Sequence, residues 1–432
     1  MTGLRRALTA SVVLLFLAAA PVTAQTFEVW LVDQSDSPGL THGGAIYIYQ
    51  GQTLMGESAS SAAPAKIDLG GATSALCSAK TGANPVRPHM IFFNSTGTHA
   101  VLAFVVSGHV VFFDARTRSP LDCLRMSAGA GGARQAHAAF PTPDDRAVLV
   151  ANQNGKLFER IDTDYAANDF VHNTAATLDL VACTTPNGAP CQALGVRPDN
   201  APICPFVASD NGPAFVTLRG GGLFVVDHAE TPMAIVGEYD RSAIGPNGCG
   251  VVEAKGRVFL NAGGGTAGNL HEFSVYRLPM TGYSPANPPN MPAPELLFQD
   301  VAGVRDAHGP LATKGERYVW IFDRAANVAE VFDAATGFWI NTVTLISDES
   351  ADPTPDLAVL SPPGNRIFVS LRGPNPLSGD PHASTGSTPG LGVLQVEQGG
   401  RHGRMKAIAP ITNRDAEGVE RADAHGIALR RK

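Results

Sequence analysis

The chain has 432 residues, 44% of them hydrophobic and 16% charged, with a net charge of −7. That length can supply a large core, the composition excludes a disordered chain, and the negative balance argues against a nucleic-acid-binding surface. The 46 glycines and 32 prolines lie between short apolar runs, which predicts many strands and turns and no sustained helical periodicity after the first two dozen residues.

Residues 1–24 read as an export signal: basic "MTGLRR", apolar "ALTASVVLLFLAAA", then small Val22 and Ala24 before Gln25. The apolar run falls short of the roughly 20 residues that a spanning helix needs. Residues 25–432 are therefore expected to form one domain outside the cytoplasm, periplasmic or secreted, with no membrane contact after cleavage.

The next segments, "FEVWLVD" (27–33), "GAIYIYQ" (44–50) and "ATSALCS" (72–78), read as three strands. A four-strand unit follows, clearest as "HMIFF" (89–93), "HAVLAFV" (99–105), "HVVFFDA" (109–115) and "PLDCLRM" (120–126), and it recurs over 137–182, 204–240, 249–300, 308–345 and 356–411. The last segment, "HGIALR" (425–430), is a first strand with no unit behind it, while the opening three strands lack a first strand. Joined, they complete a seventh unit. The pattern predicts an all-β, seven-bladed β-propeller whose ring is closed by the C-terminal strand joining the N-terminal strands, which removes exposed sheet edges.

Segments such as "GNRIFVSLRG", "GGLFVVD" and "ERYVWIFDRAANVAEVFDAATGFWINTV" resemble the YVTN or YncE-like seven-bladed propellers, a superfamily related to the propeller domain of nitrous oxide reductase. The resemblance covers nearly all of the chain after residue 24 and implies the fold. Members include non-catalytic binding proteins as well as copper enzymes with histidines around the central axis, so the fold alone does not choose a function. The copper-bearing relatives have more axial histidines than this chain offers, and that departure favours a mononuclear site.

First strands line the channel of a propeller. Their leading residues here are His89, His137, Cys204, Cys249, His308, Asp356 and His425, all capable of ligating a metal. The repeated "DAHG" at 306–309 and 423–426 sets Asp306 and Asp423 two residues ahead of His308 and His425, as carboxylates able to orient the imidazoles. His89, His137, His308 and His425 are the expected metal ligands, with copper favoured by the imidazole set and iron or zinc as alternatives. The "LRG" that ends two second strands places Arg219 and Arg372 near the same mouth, with Arg324 equivalent, where they would suit a small anionic substrate. Arg219, Arg372, Asp306 and Asp423 are thus the catalytic candidates. The insertion 373–390 and the glycine run 263–269 are expected to overhang this face.

Two functions fit these residues. One is an exported metal-dependent oxidoreductase acting on a small molecule, with a periplasmic electron acceptor. The other is a non-catalytic ligand- or protein-binding propeller whose histidines form a hydrogen-bonded plug. Zincin, Walker, haem-attachment and nucleophile-elbow motifs are absent from the sequence. The six cysteines of an exported chain should form disulfides. Cys183 pairs best with Cys191, and Cys204 and Cys249 either bridge across the channel mouth or offer thiolates to a metal, the bridge being favoured by the compartment. Cys77 and Cys123 are then left over, at fourth-strand positions that do not obviously permit a bridge.

Overall fold

The computed structural model describes residues 26–35, 43–248, 250–263, 271–286, 291–377 and 385–432. Among the described residues the strands group into four-stranded antiparallel units at 88–125, 136–179, 202–239, 251–300, 305–344 and 355–410, the fourth and fifth joined in one sheet, and a closing unit built from both ends of the chain. In the closing unit the C-terminal strand Ala424–Arg431 pairs with Phe27–Asp33, which pairs with Ala45–Gln50. The fourth and fifth units also touch through a short parallel pairing of His271 with Arg305 and Glu272 with Asp306. The architecture is a β-propeller.

Local chemistry explains the repeat. Strands such as Tyr318–Asp323 and Val328–Asp333 alternate or run apolar because both sheet faces meet a neighbouring unit. Several end in an aspartate that folds the following turn: Asp114 accepts from the N–H groups of Arg116 and Thr117, Asp323 from Ala325 and Ala326, and Asp333 from Ala335 and Thr336. The apolar faces then pack between units. Trp30 and Ile48 of the closing unit lie with Leu102 and Phe113 of the first, Val101 and Phe112 with Val148 and Ile161 of the second, and so on around to Phe368 and Val393 against Val29 and Tyr49. A cluster of this kind fills every interface between successive units, so the core is a ring of sectors around an axis.

One predicted strand is a helix. Residues 72–78 belong to the helical stretch that ends in Ser74–Thr81, and the fourth strand of the closing unit is instead Ala65–Asp68. The segment "GATSALCSAKTG" lacks β-branched density, its Thr73 and Cys77 are buried one helical turn apart, and Gly82 at φ 73° caps the end by donating to the Ser78 carbonyl. The helix also settles the cysteines. Docked on the first unit, it carries Cys77 to Cys123, and those two form a disulfide with Cα atoms 5.2 Å apart. The expected Cys183–Cys191 bridge is present too. The Cys204–Cys249 pairing lies outside the described residues, as do the export signal, most of the 263–269 run and the 378–384 part of the 373–390 insertion. Two disulfides are compatible with an oxidising compartment outside the cytoplasm. Among the described residues no helix is long and apolar enough to cross a membrane.

Candidate functional site

The propeller repeat builds two concentric rings at one end of the axis. The inner ring holds His89, His137, Ile203, His308, Asp356 and His425, at the heads of the first strands. Ile203 stands where Cys204 was expected: Pro202 pairs as Pro88 does, so Ile203 matches His89, and Cys204, like Met90, lines the opposite cavity. The next ring holds the residue just after each second strand, whose N–H donates to a carbonyl near the start of the neighbouring first strand: Val105 to Arg87, Gln153 to Gln135, Arg219 to Ala201, Arg324 to Asp306, Arg372 to Thr354 and Gln34 to Asp423. That hydrogen bond fixes every side chain of both rings at the same height. Arg87 and Thr354 take left-handed backbone, at φ 61° and 42°, to make the turn into the first strand. Such conformations are costly for a β-branched residue and cluster at binding sites.

The inner ring brings the four histidines together. His89 Nε2 lies 3.3 Å from His137 Nε2, the His89 ring stacks on His425 with centroids 3.9 Å apart, and His308 meets His425 edge-on at 5.5 Å. His89, His308 and His425 are at most 4% exposed. Close approach of the first strands makes this possible. A Cβ on Gly426 would stand 2.1 Å from the His89 carbonyl oxygen, and one on Gly309 would stand 2.2 Å from that of Asp356. The glycine that follows histidine in both DAHG copies is therefore a packing requirement.

Asp356 is the hub of the charges. Its Oδ2 accepts from His425 Nδ1 at 2.6 Å and from Arg372 Nη1 at 2.9 Å; its Oδ1 lies 2.6 Å from His308 Nδ1, in a less well aligned contact, and 3.5 Å from Arg324 Nη1. Arg324 also grips Asp306 with two hydrogen bonds of 2.8 and 3.0 Å, and Arg372 grips Asp423 with two of 2.6 and 2.9 Å. Three buried carboxylates thus face two guanidiniums, and the excess negative charge is presented to His308 and His425. Burial would push the Asp356 carboxyl up, but His308, His425 and Arg324 together hold it well below the usual carboxylate range. Burial pushes His425 down despite Asp356, and burial with the neighbouring His425 and His137 holds His89 far below the ordinary imidazole range.

Each imidazole has its Nδ1 set against an acceptor. Gln34 donates its amide to Asp423 Oδ2 at 2.9 Å, so its oxygen must be the atom 2.9 Å from His89 Nδ1. His137 Nδ1 faces the Ile203 carbonyl oxygen at 3.1 Å, and Asp356 takes the other two. These acceptors favour the Nδ1–H tautomer of His89, His137 and His425, which leaves their Nε2 lone pairs for other partners. His89 and His137 turn two such lone pairs on each other at 3.3 Å, which repel unless a cation or a proton lies between them. His425 Nε2 is buried with no hydrogen-bond partner among the described residues.

A cavity of about 240 Å³ opens over this cluster, lined by the four histidines and by Arg87, Arg219 and Arg324. The catalytic candidates divide between the cavity and the support beneath it. Arg219 lines the cavity, bound to Asp199 at 2.6 Å and Asn154 at 3.0 Å, whereas Arg372 is fully buried between Asp356 and Asp423. Asp306 and Asp423 orient Arg324 and Arg372, and Asp356 takes the imidazole-orienting place that the DAHG spacing suggested for them. The reason is register: alternate residues of a first strand share a face, but an aspartate two residues before the strand head meets the end of a second strand. Gln34 was not picked out from the sequence, although the second-strand register that marks Arg324 and Arg372 also marks Gln34 after "WLVD". Among the described residues no three His, Cys, Asp or Glu side chains are placed to hold one ion together.

The fold and an axial polar cavity define the molecule as a β-propeller. No protein-family model and no curated protein matches the sequence. Solved propellers do match. The hypothetical selenium-binding protein of Sulfolobus tokodaii superposes with a TM-score of 0.62 at 9% identity, covering 94% of each chain. The periplasmic gluconolactonase PpgL of Pseudomonas aeruginosa gives 0.53 at 12% identity over 93% of this chain and 99% of its own. The Cps50 (Swd1) propeller domain of Myceliophteria thermophila gives 0.53 at 10% over 82% and 95%. At these identities the likeness shows the fold alone; a YVTN or YncE-like membership is not confirmed by it.

Proposed function

We propose that the protein is an exported, metal-dependent oxidoreductase whose ion is held by His89 and His137, with His425 beside them, and whose substrate is a small anionic molecule. The observation that carries this reading is the 3.3 Å approach of the His89 and His137 Nε2 atoms, each on a ring whose Nδ1 already faces an oxygen acceptor. Two imidazoles on one tetrahedral ion, each at about 2.0–2.1 Å, put their nitrogens about 3.3 Å apart. Nδ1 protons held by carbonyl and carboxylate acceptors are what ligating histidines require. An imidazole set suits copper first, with iron or zinc as alternatives, and such an ion would supply redox or Lewis-acid chemistry. The chain's own groups do the rest. Arg87, Arg219 and Arg324 attract and orient the anion over the cavity floor. His308, backed by ionised Asp356, is placed to accept or return a proton. An electron acceptor outside the cytoplasm would complete turnover.

A second reading has one observation in its favour, the lack of a third ready ligand. In it the protein is a ligand- or protein-binding propeller and the histidines are a hydrogen-bonded plug. Metal analysis decides between them. Protein expressed with copper, iron or zinc supplied should carry close to one ion per chain, and His89→Ala or His137→Ala should remove it while the propeller stays folded. A folded wild type without metal, whose variants lose only stability, replaces the enzyme reading by the second.

A further inference from the structure

We infer that the opposite mouth of the axis is a second ligand site, built for a small uncharged aromatic molecule that approaches the histidines from behind. A cavity of about 470 Å³ lies there, within the size range of small-molecule sites. Its wall is mostly apolar: Met90, Phe92, Phe140, Val251, Pro310 and Leu357 line it beside the uncharged polar turn Asn94, Ser95 and Thr96, and Phe92 and Phe140 stand with ring centroids 4.0 Å apart. Aromatic rings at that position offer faces and edges to a further ring. Arg431, exposed at the rim, is the sole charged residue of the lining among the described residues. An ionic ligand would lose its hydration there without gaining a buried partner, so the pocket selects against charge.

The two cavities meet across one layer of side chains. His89 and His308 line the polar one, and the next residues on the same strands, Met90 and Gly309, line the apolar one; Ile203 and Cys204 divide in the same way. A molecule lying against Met90 is therefore one residue from the buried imidazoles. The axis becomes a channel with an anion-selective mouth and an apolar mouth, separated by a septum of histidines.

This inference does not depend on a bound metal, and its test is binding to the whole protein labelled with ¹³C-methyl methionine. Indole is the uncharged probe and benzoate the charged control of similar size. Titration with indole should shift the Met90 methyl resonance saturably, assigned through Met90→Leu, while benzoate leaves it in place. Val251→Trp, which fills the cavity without adding charge, should lower indole affinity at least tenfold at unchanged melting temperature. Should that variant fail to fold, Phe140→Ala carries the same expected loss. A Met90 methyl that ignores indole up to its solubility, answers benzoate equally, or responds as well in the folded variant overturns the proposal.

Discussion

Replacing Asp356 by asparagine tests the charge hub directly, since the substitution keeps the volume and removes one oxygen acceptor and the charge. The carboxylate serves His425 and Arg372 through Oδ2 and His308 and Arg324 through Oδ1, all in a fully buried site. An amide has one acceptor oxygen, which should stay with the better aligned pair at 2.6 and 2.9 Å. Its NH₂ group then faces His308 Nδ1 and Arg324 Nη1, donor against donor, while Arg324 keeps its two bonds to Asp306. Breaking a buried pair in this way costs about 3–5 kcal/mol. A stability of about 5–15 kcal/mol is usual for a folded chain, so the variant should unfold at clearly lower urea at pH 7. The pH dependence follows from the depressed Asp356 carboxyl. A group whose folded pKa lies below its unfolded value contributes in full above the unfolded value, about 3.9 for aspartate, and loses that contribution as pH falls through the folded value. The wild type's advantage should therefore be constant from pH 7 to about 4.5 and shrink only in stronger acid. Histidine ¹⁵N spectra should show His308 changing more than His425. An unchanged urea midpoint, or an advantage already fading between pH 7 and 5, would refute the reasoning.

Further outcomes follow from the ring and its close contacts. Gly426→Ala puts a methyl group 2.1 Å from a backbone oxygen that cannot swing away; a loss of about 1–3 kcal/mol or more is expected, against almost none for Gly71→Ala, where nothing lies within 4 Å. Deleting 423–432 removes the first strand of the closing unit and bares Phe27–Asp33 to the axis, so the product should be insoluble or unfold without cooperativity, and an unchanged melting temperature would count against ring closure. Replacing Cys77 and Cys123 by serine releases the helix Ser74–Thr81 from the first unit, across a sequence separation of 46; the urea midpoint should fall by the equivalent of about 2–4 kcal/mol.

The propeller and the four axial histidines were legible in the residues, because both rest on period, although the count ran one residue too far in the third unit, where Ile203 and not Cys204 takes the axial place. Strand alternation repeated at fixed spacing marks each unit, and a residue leading a first strand must face the axis wherever the unit sits, so His89, His137, His308 and His425 could be brought together without coordinates. Period failed where local composition competed with it: at 72–78 a short alternation masked an alanine-rich helix, and the Cys77–Cys123 bridge was hidden with it. Contacts between units were set by packing and could not be read from the period. Spacing could not show that Asp356 of one unit would serve His308 and His425 of its two neighbours, that Asp306 and Asp423 would be taken by arginines, or that Gln34 would hold the His89 tautomer. Those assignments depend on distances of a few tenths of an ångström between strands remote in sequence, and hydrogen bonding, which sets the protons and leaves the Nε2 lone pairs facing, is decided at that scale.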